Sequence, residues 1–393
     1  MNLKVILILS LSHICTDLTG ASVPAILPLF KEALQLSYTA VGAVILVSNL
    51  TSSIIQPCFG YLSDRVQMKW VLPVSFLLNF AGFSFVGLAP TYMILLILVF
   101  IQGMGVASYH PEGMKIMHFF TGPRAATGMS FFQVGGNLGL ALGPLLISYA
   151  VKFAGLPGTL FFLLAGLPMA VILFLFNKKF STPIIQKGSG LKGKERSRVL
   201  SSEEGGSRWR SMSLLIGAVT LRSWAHIGLM TYVPFYFVQV LHGDPVAAGK
   251  LVFVFLMGGV AGTFIGGIIA DKIGHKLFFL LSMVLSVPLL FVFPGVAGFW
   301  VPVVLFLIGF VLISSFSVTI VMGQRMLPDR LGMASGIMTG LVIGMGGIGA
   351  YLLGLVADAW GVLTVLKLIA YMPAVGMIPL LMVSYPSHQE TVS

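Results

Sequence analysis

Along the chain the hydrophobic residues gather into long, nearly unbroken runs, divided by short polar stretches. The runs cover roughly 4–31, 37–62, 70–89, 91–118, 125–152, 157–177, 212–241, 246–270, 277–296, 299–325, 331–357 and 361–384. About 20 apolar residues in a helix span the ~30 Å of a bilayer's hydrocarbon. The two-residue alternation of a transmembrane barrel is missing, and backbone groups in lipid must be satisfied within their own segment. The pattern therefore predicts an all-α membrane protein with twelve transmembrane helices. One stretch, 178–211, breaks the rhythm. It is rich in Gly, Ser, Lys and Arg and reads as a solvated, flexible linker. It separates an N-terminal half, 1–177, from a C-terminal half, 212–393, with six helices in each.

Composition agrees and removes the main alternatives. Of 393 residues, 57% are hydrophobic and 9% charged, and the mean hydropathy is +1.00. A soluble domain carries about 25% charged residues, so a water-soluble enzyme is excluded. The net charge of +11 would fit nucleic acid in a soluble chain. In a membrane protein it is the expected enrichment of Lys and Arg on the cytoplasmic side, and no nucleic-acid partner is inferred. With both termini and the linker in the cytoplasm, Lys4, Arg65, Lys69, Lys115, Arg124, Lys272, Lys276, Arg325, Arg330 and the linker's basic residues fall inside. Only Lys31, Lys152, Lys250 and Lys367 fall outside. Cys15 and Cys58 both lie in apolar runs and imply no disulfide framework. The opening run lacks a small-residue cleavage pattern and is expected to be a retained first helix.

The halves repeat. Gly60-Tyr61-Leu62-Ser63-Asp64-Arg65 with Lys69 returns as Gly267-Ile268-Ile269-Ala270-Asp271-Lys272 with Lys276, at an offset of 207 residues. Arg124 and Arg330 each open a Gly-rich fifth helix of their half. Parallel six-helix repeats joined by a linker are the layout of a two-lobed transporter. In each copy the Asp sits at a helix end, where its carboxylate can meet the positive N-terminus of another helix and a basic side chain. Gly60, Asp64, Arg65 and Lys69, with Gly267, Asp271, Lys272 and Lys276, are thus candidates for a cytoplasmic latch that closes in one transport state and opens in the other.

These Gly-x3-Asp-Arg/Lys-x4-Lys loops resemble the best-known motif of the major facilitator superfamily. Further residues narrow the likeness to its fosmidomycin-resistance branch: Ser12-His13 with Asp17, Gln56-Pro57, His110-Pro111-Glu112, Phe132-Gln133-Val134-Gly135-Gly136-Asn137, and Leu327-Pro328 through Gly344-Met345-Gly346-Gly347. The resemblance spans nearly the whole chain except the linker. It implies the pseudo-symmetric major facilitator fold and a monomeric, proton-coupled exporter of drugs or other small molecules in a bacterial cytoplasmic membrane, without a cofactor. Drug–proton antiporters of the wider group have an Arg in the fourth helix where this chain has Val99. Gly139-x3-Gly143-Pro144 resembles their fifth-helix motif, with Ile147 and Ser148 in place of its closing glycines.

Charged groups at the centre of a span cost about 2.5–3.5 kcal/mol by insertion scales, and they usually face a cavity or a partner. Asp17 lies 13 residues beyond Lys4, about 20 Å into the first helix at ~1.5 Å per residue. His13 is one turn back on the same face. Asp17 is a candidate proton carrier or, failing that, a structural hydrogen-bond partner. Glu112 is the second proton-coupling candidate, with Lys115 at i+3 as a plain ion-pair alternative. His110 and Glu112 project about 200° apart, so only a bend at Pro111 would bring both into one space. Arg222, 205 residues after Asp17, is expected at a similar depth. Arg stays protonated, so it can hold an anionic substrate or pair with Asp17 but cannot carry the coupled proton.

The remaining substrate-binding candidates are His13, His110, Gln133, Asn137, His226, Tyr232 and Tyr236, with Trp224, Ser314, Ser315, Ser317 and Thr319 as weaker ones. Any of these can equally be an interhelical hydrogen bond. The glycine ladders Gly258-Gly262-Gly266 and Gly332-Gly336-Gly340-Gly344 are read as close helix packing. The leading reading is proton antiport of small polar or anionic molecules, and the alternative is proton symport. A divalent-metal carrier would need at least three of His13, Asp17, His110, Glu112, His118 and His226 to converge, and no metal site is assigned. A membrane enzyme finds no nucleophile–base pair in its favour.

Overall fold

The computed structural model describes residues 1–36, 38–65, 70–189, 205–243 and 245–385. Among these residues there are helices and turns but no strand. Twelve helices are long and apolar enough to cross a membrane. They are α1 (Leu3–Ala33), α2 (Tyr38–Asn49 continuing as Gln56–Arg65), α3 (Val71–Ser84), α4 (Tyr92–Thr121), α5 (Ala125–Ala154) and α6 (Leu163–Ser189). The second six are α7 (Gly205–Gln239), α8 (Pro245–Ile273), α9 (His275–Val292), α10 (Trp300–Ile313 and Phe316–Met326), α11 (Leu331–Gly336 and Val342–Trp360) and α12 (Val362–Met382). Every apolar run of the sequence thus became one spanning helix. Both helices that flank the expected linker run into it, α6 to Ser189 and α7 from Gly205. Lys and Arg are good helix formers, and a helix already nucleated in the membrane extends through them readily.

The chain packs as two compact units. The first comprises Met1–Gly122, Phe131–Val199 and Asp329–Leu341; the second comprises Pro123–Ser130, Leu200–Pro328 and Val342–Ser393. Each unit therefore takes in the opening turns of one helix from the opposite half of the sequence, those of α11 and α5 respectively. The first unit's interior is aromatic: Phe76 stacks on Phe80 at 4.7 Å between ring centroids, and Phe83 meets Phe162 edge-on, also at 4.7 Å. The second unit buries Tyr236, Phe255, Leu305, Ile308 and Ile369 in one cluster. Many large apolar side chains are left exposed, Phe153, Leu164, Leu175 and Phe299 among them, as the lipid-facing side of a bundle requires. Trp300 and Trp360 are exposed at helix ends, where indole rings suit the membrane–water boundary.

Three spans are locally irregular. In α2 and α11 a π-helical turn interrupts the helix, at Leu50–Ile54 and Ile337–Leu341. These turns lie within the first unit, where Thr339 Oγ1 donates to Gln56 Oε1 at 3.0 Å. The glycine ladder of α11 lies along α2: a Cβ on Gly336 would stand 2.7 Å from the Gln56 carbonyl oxygen. Its counterpart on α8 lies along α10, with Gly258 and Gly262 against the carbonyls of Phe306 and Phe310. The third irregularity is the break in α10 at Ser314-Ser315. Thr263 Oγ1 donates to the Ile313 carbonyl there, at 3.2 Å, which satisfies an acceptor the break leaves open.

Candidate functional site

In the first unit α1 and α4 bring three titratable side chains together. His13 and Asp17 share a face of α1, one turn apart, and His110 reaches them from α4. His13 Nε2 is 3.2 Å from Asp17 Oδ2, and His110 Nε2 is 3.0 Å from Asp17 Oδ1. The two Nε2 atoms are 3.1 Å apart. His13 and His110 are buried, and the Asp17 side chain retains 14% exposure. Both rings are anchored from behind, His13 Nδ1 to the Phe132 carbonyl at 2.7 Å and His110 Nδ1 to that of Val106 at 3.0 Å. The Phe132 ring stacks on His13 at 4.0 Å. Sequence reasoning offered Arg222 as a partner for Asp17; within this unit both carboxylate oxygens meet histidines.

Two supporting residues had no sequence signal. Tyr109 is fully buried and shares a hydrogen bond with Ser12. Asn79 of α3 accepts from Thr19 Oγ1 at 2.7 Å and donates to the Thr16 carbonyl. Asn79 is a single polar group in an apolar run and Tyr109 stands beside Ser108 and His110; both acquire these partners only through packing. From α5, Gln133 is buried with its Oε1 unpartnered among the described residues, whereas Asn137 is half-buried. Gly136 lies between them. A Cβ there would fall 2.6 Å from Asp17 Oδ2 and 2.7 Å from His13 Nε2, so only glycine leaves the cluster its room.

Glu112 belongs to a different network. α4 continues through Pro111, and the roughly opposite projection of His110 and Glu112 persists. Glu112 pairs with Lys115 at 2.9 Å and accepts from Ser63, while Lys115 Nζ also donates to the Ser63 carbonyl at 2.9 Å. Glu112 and Lys115 are both buried. This network holds the end of α2 immediately before Asp64.

Asp64 caps α11. Its two oxygens accept from the Gly332 and Met333 amides, each at 2.9 Å. Gly60 makes the approach possible, because a Cβ there would collide with the Gly332 backbone. Arg65 lies over the Tyr61 ring at 4.4 Å, and Lys69 lies outside the described residues. In the second unit Asp271 treats α5 the same way. It accepts from the Ala126 amide at 3.0 Å and from the Thr127 amide and hydroxyl at 2.7 and 2.6 Å. Gly267 abuts Ser130 and the Ala126 carbonyl. Lys272 is exposed, and Lys276 donates to the Leu381 and Val383 carbonyls, tying α9 to the end of α12. Behind Asp271 stands His275, at 3.3 Å, which in turn meets the Tyr385 hydroxyl at 3.1 Å. Burial pushes the Tyr385 phenol up to about 12, so it stays a neutral hydrogen-bonding group.

In the second unit α7 carries Arg222, 3% exposed. Its contacts are a long hydrogen bond of 3.4 Å to Ser315 Oγ at the break in α10 and the Phe316 ring at 5.0 Å. Arg222 Nε, His226 Nε2 and Trp224 Nε1 have no hydrogen-bond partner among the described residues. Trp224 packs over Gly349. The hydroxyls of Tyr232 and Tyr236 are engaged, donating to the Ala350 and Pro294 carbonyls at 2.7 Å each. Ser314 and Thr319 bond to their own helix, and Ser317 meets Ser130 at 3.0 Å.

Twelve spanning helices, an internal repeat, and ionisable clusters buried within the spans define a multi-pass membrane transporter. The model of the Major Facilitator Superfamily matches residues 9–350, and the chain belongs to that family. It is 32% identical to the fosmidomycin resistance protein of Escherichia coli over 94% of this chain and 90% of that protein. It is also 32% identical to an uncharacterized MFS-type transporter, YfnC, of Bacillus subtilis, over 98% and 93% of the two chains. Among solved structures, that of the transporter FucP in its outward conformation superposes with a TM-score of 0.73 at 16% identity, covering 98% of this chain and 99% of that one. That likeness shows the fold.

Proposed function

We propose that this transporter is a proton-driven exporter of small polar or anionic molecules, working by alternating access in a bacterial cytoplasmic membrane with both termini in the cytoplasm. The observation that carries the reading is Arg222. It is a buried guanidinium in a spanning helix, and no carboxylate pairs with it among the described residues. An uncompensated cation in a low-dielectric bundle is costly. A substrate anion would relieve it, through charge-assisted bonds to the open Nε and the weakly held NH1. Asp17, gripped by two histidines, supplies the coupling proton's place. The likeness to a drug-resistance protein supports export as the direction. Asp64 and Asp271 act as latches, each clasping a helix N-terminus that must be released in the opposite transport state.

The test uses inside-out vesicles with fosmidomycin, the compound named in the relative, as first probe. An imposed gradient, acid inside, should drive its accumulation several-fold above the level without a gradient, and Asp17→Asn should remove that difference. Equal accumulation with and without the gradient, or wild-type exchange in Asp17→Asn, would overturn the coupling assignment.

A further inference from the structure

With both rings neutral, the cluster of His13, His110 and Asp17 is an arrangement of acceptors. A carbonyl oxygen can only accept a hydrogen bond, so the contacts of His13 Nδ1 to Phe132 and of His110 Nδ1 to Val106 place a hydrogen on each Nδ1. A neutral ring held this way presents a bare lone pair at Nε2. Both Nε2 atoms point at each other and at the two oxygens of Asp17, with separations of 3.0–3.2 Å. Lone pairs facing one another at such distances call for a cation among them.

We propose that these three side chains form a binding site for a divalent first-row transition-metal ion of the Zn2+, Co2+ or Ni2+ kind. The donor set fits: two imidazole nitrogens and a carboxylate suit these ions, whereas Mg2+ and Ca2+ favour all-oxygen ligands. The size fits as well. Ligand atoms about 2.0–2.1 Å from a tetrahedral ion stand about 3.3 Å apart, close to the 3.0–3.2 Å that separate each Nε2 from its carboxylate oxygen and from the other Nε2. All of their ligand atoms already lie within 4.8 Å of one another. The outer contacts also fit, since a metal-binding imidazole characteristically gives its other N–H to a carbonyl or carboxylate, which fixes the ring. Room at the α5 side is kept by Gly136, and the partial exposure of Asp17 gives an ion access and a fourth ligand position for water. Glu112 has no part in the site, being held by Lys115 and Ser63. On the coupling reading above, a bound metal would arrest transport, but the binding itself does not depend on that reading.

Co2+ titration of the tag-free, purified full-length protein tests this directly, because four- and five-coordinate Co2+ absorbs visible light far more strongly than the hexa-aquo ion. The expected result is a visible band that saturates at one ion per chain. Zn2+ should displace it at equimolar concentration, and a large excess of Mg2+ should not. Asp17→Asn and His110→Asn should each weaken binding by at least about tenfold. A flat titration of the parent protein overturns the proposal, and so does a band that persists unchanged in both variants. The parent titration decides by itself if a variant fails to fold. Transport by the parent protein that ignores the imposed gradient, with Co2+ binding intact, would sink the functional reading and leave this one standing.

Discussion

At the scale of single residues, burial without a partner is the most informative feature of this chain. Arg222 has one long polar contact and one aromatic neighbour, and no carboxylate among the described residues pairs with it. Hydrogen bonds to charged groups contribute about 1.5–3 kcal/mol. Arg222→Gln should therefore weaken binding of an anionic compound by roughly ten- to a hundredfold and leave neutral compounds unaffected, as measured by equilibrium binding to purified protein. An unchanged affinity for a phosphonate would make Arg222 a structural residue. Lys115 and Glu112 are the contrasting case, a buried pair that satisfies itself. Removing one member strands the other, at a cost of about 3–5 kcal/mol. Lys115→Met should thus sharply lower the thermal midpoint in detergent, and adding Glu112→Gln should recover most of the loss. If the single variant melts like the parent, the pair carries no stability.

At the scale of elements, two helix caps each join a helix end to the N-terminus of another helix. Asp64 and Asp271 place carboxylates on the N-termini of α11 and α5, where the unpaired amides and the helix dipole both favour negative charge. Each carboxylate uses both oxygens on successive amides, a geometry asparagine cannot reproduce with its single carbonyl. Asp64→Asn or Asp271→Asn should remove about 1 kcal/mol and shift the balance of transport states roughly fivefold. Labelling of cysteines introduced at the periplasmic ends of spans reads that shift, and identical labelling in variant and parent would argue against a latch. The caps have unlike supports, the Glu112–Lys115–Ser63 network behind one and His275 with Tyr385 behind the other. The repeat therefore conserves the capping geometry while the chemistry behind it differs.

For the whole molecule, the uneven placement of Lys and Arg predicts both termini in the cytoplasm. Green fluorescent protein fused at either end should fluoresce, and alkaline phosphatase fused at the same points should be inactive. Active phosphatase at the C-terminus would invert the topology and, with it, the direction assigned to every latch and gradient. Membership of the major facilitator superfamily accounts for twelve spans in two six-helix repeats.

The count and type of the helices were legible in the residues alone, because lipid imposes one rule on every span: about 20 apolar residues with internally satisfied backbone. The Gly-Asp repeats were legible too, since a short conserved spacing survives in linear order. Asp17, Arg222 and the two caps stood out because a charge in an apolar run is expensive wherever it points. Which charge meets which could not be read in this way. His110 joins His13 and Asp17 while Glu112, two residues on, turns to Lys115 and Ser63; helical projection allowed either outcome at a proline. Tyr109 and Asn79 entered the site's surroundings through packing of α3 and α4 on α1. The opening turns of α5 and α11 joined the unit of the opposite sequence half. Hydropathy is a property of each segment, whereas partnership is a property of distances between segments, and only the tertiary structure supplies those.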